Sequence, residues 1–187
     1  MLQNRRRFIR DSSLGVLTFY LAGCEVETTP EQAHRAGVTR QVFSEAEAQA
    51  LGALAEVLLP GSVDLGLVEY VDQQLGAPLD EQMLMIKYLG VNPPFAPFYQ
   101  GGLAALDQAA TAAHGDPFAQ LDSAQQTALV AAVAQGQVEN WSGPPAPFFY
   151  FVVRNDAVDV TYGTKAGIEG LGIPYMAHIA PPSPWGQ

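Results

Sequence analysis

Cysteine, histidine and basic residues are scarce in this chain of 187 residues. Cys24 is the only cysteine, so the chain alone cannot form a disulfide, a thiolate zinc site or an iron–sulfur cluster. Nine lysines and arginines stand against 19 acidic residues, which gives a net charge of −10. A surface of this sign repels the phosphates of nucleic acids and the headgroups of anionic lipids. Nucleic acid is therefore not an expected partner.

The three histidines show no metal-binding pattern. His34, His114 and His178 lie far apart in the sequence, and none has a second histidine four residues away. Helical metal sites commonly take two ligands at that spacing. The chain also lacks a Gly-x-Ser-x-Gly motif and a glycine-rich loop that would cradle the phosphates of a nucleotide or flavin. We therefore predict no metal site, no cofactor site and no catalytic residue in this chain.

Long apolar runs are also missing. The N-terminal apolar stretch, residues 12–22, has 11 residues and includes two serines, a glycine and a threonine. A helix that spans a bilayer needs about 20 apolar residues, so this stretch is too short. Its length is typical of the apolar part of a cleaved signal peptide.

Motifs on both sides of this stretch support that interpretation. The pair Arg5-Arg6, followed by Phe8, resembles a twin-arginine export signal. The sequence Leu21-Ala22-Gly23-Cys24 resembles a bacterial lipobox, in which the chain is cut before the cysteine and the thiol is acylated. We predict that residues 1–23 are removed and that Cys24 attaches the chain to a membrane through more than one acyl chain, which suffices for stable anchoring. The expected location is periplasm-facing.

Beyond the signal, apolar residues recur at helical spacing. Residues 24–42 are polar without such periodicity and are expected to form a tether between lipid and domain. Ser44 and Glu47 form a capping-box pattern. The pattern predicts an all-α fold, with one orthogonal helical domain over 43–187. Its six or so helices are expected near 44–58, 64–76, 79–89, 99–114, from 122 or 123 onward, and at 148–156. Frequent glycine and proline from Val160 onward predict an ordered but irregular tail.

Two carboxylates offer a possible chemistry. Glu69 and Asp72 lie three positions apart on the second predicted helix, so both can point the same way. A general acid–base pair also needs burial or like-charge coupling to give the two groups different proton affinities. In so acidic a chain, two solvated carboxylates are the simpler interpretation. A self-contained periplasmic enzyme that uses these residues stays open as an alternative hypothesis.

Aromatic residues are concentrated at Trp141 and over residues 148–153. A helix that is apolar on nearly all sides must be buried in a core or against a partner. Core packing is the simpler interpretation. Burial of one face in a partner subunit is the functional alternative, because aromatic residues are enriched at such interfaces.

Several short motifs occur in a recognisable order along the domain. They are Phe43-Ser44, Ala55-Glu56, Leu59-Pro60-Gly61, Gly66, Tyr70-Val71-Asp72, Asp159, Tyr162-Gly163 and Gly172-Ile173-Pro174. With these motifs the chain resembles the gluconate 2-dehydrogenase subunit 3 family over roughly residues 43–174. The family commonly has proline where Val160 stands, a glycine and an asparagine at Thr164 and Lys165, and a tryptophan near Ile168. These departures are typical of a divergent branch.

The resemblance implies a non-catalytic accessory subunit. In such complexes a large subunit of the glucose-methanol-choline (GMC) type holds FAD and oxidises a sugar or polyol, and a cytochrome c subunit often takes the electrons. The small subunit supplies the export signal and helps the large one fold. The leader agrees with this, because the twin-arginine route carries folded proteins, commonly ones that receive a cofactor in the cytoplasm.

We expect FAD in the partner subunit rather than in this chain. The expected partner-binding residues are Trp141, Phe148, Phe149, Phe151 and Tyr162. A lipoprotein scaffold unrelated to redox enzymes is a further hypothesis.

Overall fold

A computed structural model describes residues 16–172 of the chain. The export-signal residues Arg5, Arg6 and Phe8 lie outside the described residues, as do His178 and the pair Ile173-Pro174. The described part is mostly helical with one small two-stranded sheet, so the expected all-α class with roughly six helices is confirmed. None of the helices between residues 16 and 172 has the length and apolar character needed to cross a membrane.

The chain begins with a hairpin and continues through helices joined by short loops. The hairpin consists of β1 (Leu17–Leu21) and β2 (Cys24–Thr28). The helices are α1 (Pro30–Ala36), α2 (Glu45–Leu58), α3 (Leu67–Gly76), α4 (Ala96–His114), α5 (Ser123–Gln135), α6 (Ala146–Tyr162) and α7 (Lys165–Gly170). Two short 3-10 helices, Met85–Tyr88 and Phe118–Gln120, lie in the connections.

Side chains at both ends of α2 fix its length. The Ser44 hydroxyl accepts from the backbone N–H of Glu47 at 3.3 Å, and the Glu47 carboxylate accepts from the backbone N–H of Ser44 at 2.8 Å. The predicted capping box is therefore confirmed. Beyond the helix, the Glu56 carboxylate accepts from the N–H groups of Gly61 and Val63 at 3.0 and 3.2 Å. This carboxylate therefore provides hydrogen-bond acceptors for backbone N–H groups of the turn that follows α2.

One part of the core lies where α4 and α6 approach closely. A Cβ atom at Gly102 would lie 2.2 Å from the ring of Phe149, so only glycine permits this approach. Phe149 is 1% exposed, and its ring lies 6.1 Å from that of Trp141, measured between centroids. The side chain is enclosed in the core of its own domain, which does not favour the predicted contact of Phe149 with a partner.

The helix predicted for residues 79–89 is also wrong. In its place the segment has a single 3-10 turn at Met85–Tyr88. Ile86 is fully buried but Met83 is 50% exposed, so the three-residue spacing does not mark one buried face. The Gln74 side-chain oxygen accepts from the N–H of Met83 at 2.5 Å, which pairs a backbone group without a helix. The segment is an ordered loop.

Residues 24–42 differ from the irregular tether that the composition suggested, since they contain β2 and α1. Thr29 caps α1 by accepting from the N–H of Gln32, and Pro30 occupies the first turn. Gly37 ends the helix in the left-handed conformation. Thr29 and Pro30 thus begin a helix, although a threonine–proline pair in a polar segment is also typical of an irregular linker.

The hairpin packs onto the helical domain. β1 pairs antiparallel with β2 from Leu17 opposite Thr28 to Leu21 opposite Cys24. Phe19 is 3% exposed, and β1 contacts both α1 and α3. Part of the stretch predicted to be a signal peptide is therefore folded against the domain.

The C-terminal part is more helical than predicted. α6 runs over Ala146–Tyr162 rather than 148–156, with Pro147 in its first turn, where a missing N–H costs nothing. The irregular tail expected from Val160 onward begins instead with the end of α6 and continues into α7. Just before α7, the Thr164 hydroxyl accepts from the N–H of Gly167 at 3.0 Å. The rest of that tail, 173–187, lies outside the described residues.

Candidate functional site

Asp72 of α3 is a structural carboxylate. It is 3% exposed and accepts three backbone N–H groups, from Gln41 at 2.7 Å, Val42 at 2.9 Å and Phe43 at 2.8 Å. These donors lie in the segment that leads into α2. The carboxylate therefore fixes the position of that segment on α3, and its oxygens are already occupied.

Glu69, one turn earlier on α3, has a different partner. Both of its carboxylate oxygens lie 3.2 Å from Nδ1 of His34 on α1, and the residue is 9% exposed. The pair joins α1 to α3 beneath the hairpin. Glu69 and Asp72 thus each bind another element of the fold, which does not favour the acid–base pair considered above.

A cavity of about 530 Å³ lies between the hairpin and α3. Glu69, Asp72, Gln73 and Gln74 line the α3 side, and residues of β1 line the opposite side. His34 already contacts the Glu69 carboxylate, and backbone N–H groups already donate to the Asp72 carboxylate. A substrate in this cavity would meet groups that hold the fold together.

Metal-binding groups do not come together in the described part of the chain. Over residues 16–172, no three His, Cys, Asp or Glu side chains are placed so that they could hold a metal ion. His34 contacts Glu69, whereas His114 lies at the end of α4, 3.4 Å from the side-chain nitrogen of Gln125. These two histidines belong to different regions of the fold.

A buried carboxylate that sequence reasoning missed lies on α6. Asp156 is 1% exposed, and the Tyr99 hydroxyl of α4 donates to its Oδ2 at 2.7 Å. Burial raises the pKa of Asp156 to about 7, although the Tyr99 hydrogen bond acts in the opposite direction. The helical phase could have revealed it, because Asp156 follows Val152 and Phe149 on the same buried face of α6.

Motif residues from the two ends of the domain meet beside this carboxylate. Tyr70 of α3 is 9% exposed, and burial raises its pKa, with the negative charges of Asp156 and Asp159 adding to the rise. Burial also raises the pKa of Asp159. The motif around Tyr70 and the closing motif around Asp159 are thus close enough to interact electrostatically.

Gly66 allows the start of α1 to pack closely against the rest of the domain. It has a φ of +84°, and a Cβ atom there would lie 2.1 Å from the carbonyl oxygen of Pro30. Only glycine permits both this conformation and this approach. Gly66, Asp72 and Glu56 are all motif residues whose contacts stabilise the fold.

The predicted partner-binding residues have different environments. Phe151 is 43% exposed, whereas Trp141, Phe148 and Tyr162 are half-buried. The ring of Phe148 packs edge-on against Phe98 with centroids 5.5 Å apart. Of the predicted set, Phe151 therefore offers the most open apolar surface.

Comparison with known families gives one match. The model of the family described as gluconate 2-dehydrogenase subunit 3 matches residues 45–178, well over half of the chain. Comparison with curated proteins and with solved structures gives no match. The matched span contains Glu56, Gly66 and Asp72, whose structural roles are described above. The chain therefore belongs to the gluconate 2-dehydrogenase subunit 3 family.

Proposed function

We propose that this chain is a non-catalytic accessory subunit of an extracytoplasmic, FAD-dependent sugar or alcohol dehydrogenase complex. It binds a large GMC-type flavin subunit, carries that subunit through the twin-arginine route and holds it at a membrane through lipid on Cys24. The family match over residues 45–178 carries this proposal, because the family is named as a subunit of a dehydrogenase. The flavin chemistry belongs to the partner.

The buried carboxylates support a binding role over an enzymatic one. Asp72 receives three backbone N–H groups, Glu69 faces His34, and Asp156 accepts from Tyr99. Each of these groups is engaged in joining two elements of the fold. This favours the accessory-subunit hypothesis over the self-contained carboxylate enzyme.

Processing at Cys24 would require the hairpin to open. Cys24 is exposed at the start of β2, and the turn before it consists of Ala22 and Gly23, with φ values of 52° and 81°. Residues 17–21 cannot pair with β2 and lie in a membrane at the same time. Burial of an aromatic side chain such as Phe19 contributes about 1.5–3 kcal/mol, which opposes the opening.

Coexpression with the large flavin subunit tests the export role. The large subunit is produced with the wild-type chain, with an Arg5→Lys, Arg6→Lys double variant, or alone. Arg7→Lys is the matched control, because it makes the same chemical change next to the pair. Flavin content and dehydrogenase activity are then measured in the periplasmic fraction.

We expect export and activity with the wild-type chain and with Arg7→Lys, and a loss of both with the double variant. Equal periplasmic flavin and activity when the large subunit is produced alone would refute the proposal. A large subunit that reaches the periplasm with the double variant would refute the role of the arginine pair.

A further inference from the structure

The solvent-facing side of α6 is unusually apolar. Pro147, Phe151, Arg154 and Val158, four of its five exposed positions, follow one another at spacings of four, three and four residues, so they form one stripe along the helix. The fifth exposed position, Asp159, lies about 100° around the helix from Val158, beside the stripe. Phe151 is 43% exposed and Val158 is 37% exposed. The outer face of a helix that packs on a core normally carries polar side chains. We call these four residues the α6 stripe.

The outer face of α2 shows the usual pattern in the same domain. Its exposed positions are Glu45, Ala46, Gln49 and Glu56, of which three are polar and the fourth is the small alanine. The apolar α6 stripe is therefore a local feature rather than a property of every helix in the domain.

Arg154, at the centre of the stripe, differs from the other basic residues. Arg35 pairs with Glu31, and Arg40 pairs with Glu45. The Lys87 ammonium group donates to two backbone carbonyl oxygens, at 3.2 and 2.9 Å.

Among the basic side chains that the structure describes, Arg154 has no hydrogen-bond acceptor and no ion pair. The chain carries 19 acidic residues, so an arginine without an acceptor is unexpected here.

Aromatic side chains, phenylalanine among them, and arginine are both enriched at protein–protein interfaces. Phe151 offers apolar area at low entropic cost, and the guanidinium of Arg154 matches a carboxylate in a two-pronged geometry. From this charge and shape we infer that the α6 stripe binds the large flavin subunit through an apolar pocket bordered by a carboxylate. The identity of that partner rests on the function proposed above.

Two other occupants fit the stripe less well. Residues 173–187 contain no aspartate or glutamate, so their side chains cannot supply a carboxylate for Arg154. A second copy that used the same face would bring two Arg154 side chains near the symmetry axis, where like charges repel. The partner is therefore expected to be a different chain with an acidic side chain at the contact.

Binding of the full-length chain to the purified, FAD-loaded large subunit tests this inference. The variants are Phe151→Ser and Arg154→Gln. The matched controls are Leu79→Ser, which replaces another side chain that is 45% exposed, and Arg35→Gln, which removes an arginine that is already paired. Circular dichroism and thermal unfolding of each variant confirm that it folds.

We expect each α6 variant to weaken binding at least about tenfold, and each control to stay within about twofold of the wild type. The dissociation constant of the Arg154→Gln variant should also depend less on salt than that of the wild type. If the wild-type chain forms the complex and both α6 variants bind equally well, this inference is overturned while the proposed function stands. If the wild-type chain forms no complex, the proposed function fails.

Two further results would overturn the inference by identifying another occupant. A loss of thermal stability in Phe151→Ser well beyond that in Leu79→Ser, in the absence of the large subunit, would indicate that the chain's own residues cover the stripe. A dimer of the chain that dissociates with Arg154→Gln would indicate a second copy.

Discussion

Replacing Asp72 with asparagine tests whether this motif carboxylate holds the fold. The three N–H groups that it accepts lie at 2.7, 2.9 and 2.8 Å, and two of them share Oδ1. An asparagine oxygen can keep the two from Val42 and Phe43, but its NH₂ group then faces the N–H of Gln41, donor against donor. Hydrogen bonds to a charged group contribute about 1.5–3 kcal/mol, and a buried unpaired donor costs about 1–3 kcal/mol. We expect the free energy of unfolding to fall by about 2–4 kcal/mol.

Urea unfolding of the purified chain, followed by far-UV circular dichroism, measures this difference. Asp80→Asn is the matched control, because it makes the same chemical change at an exposed position. A surface change of this kind usually alters the free energy of unfolding by less than about 0.5 kcal/mol. In a chain of this size, each kcal/mol lost at Asp72 should lower Tm by about 2–4 °C.

Unfolding of the Asp72→Asn protein at the same urea concentration as the wild type would refute the structural role of the carboxylate. A purified chain that turns over a substrate, and that loses this activity in a normally stable Asp72→Asn variant, would support the enzyme hypothesis instead.

Two further changes test other contacts of the fold. Gly66→Ala should displace α1, because the new Cβ would lie 2.1 Å from the Pro30 carbonyl oxygen, whereas Gly61→Ala adds only backbone strain at a φ of +87°. Hydrogen exchange should therefore be faster in α1 of Gly66→Ala, and equal rates in the two variants would contradict the contact. The buried Asp156, with a folded pKa of about 7 against 3.8, keeps its proton over a range where the unfolded chain loses it. Stability should thus fall by up to roughly 4 kcal/mol as pH rises from about 4 to about 7. Asp156→Asn should remove that slope in urea titrations, so the same slope in both proteins would exclude Asp156 as its source.

Local signals in the sequence were sufficient where the structure depends on neighbouring residues. The capping box of Ser44 and Glu47 could be predicted because both partners lie within one turn. The role of Asp72 could not, because its donors lie about 30 positions earlier in the chain, in a segment without periodicity. The order of short motifs indicated the family. It did not indicate that a glycine is needed at position 66 because the backbone at Pro30 packs directly against it.

The sequence also did not predict which aromatic residues of α6 are buried and which are exposed. Phe149 and Phe151 are two positions apart, yet one is 1% exposed and the other 43%. Apolar residues alone do not fix the rotation of such a helix, because nearly every side is apolar. Arg154 could have indicated the rotation, because an arginine is rarely buried and therefore marks the solvent side of the helix. Phe151, three positions earlier, lies on that same side. The helical phase of α6 indicates that Asp156 is buried, but no local signal indicates its partner, because Tyr99 lies on another helix.

The most direct test of the central claim compares this chain alone with the complex that it forms. The full chain and its coexpressed complex with the large flavin subunit are purified in detergent, and flavin, haem and metal content are measured together with sugar oxidation. Our account predicts bound flavin and turnover in the complex, and neither flavin, haem, metal nor turnover in the isolated chain. Stoichiometric flavin, haem or metal in the isolated chain, or substrate oxidation by it, would contradict the account.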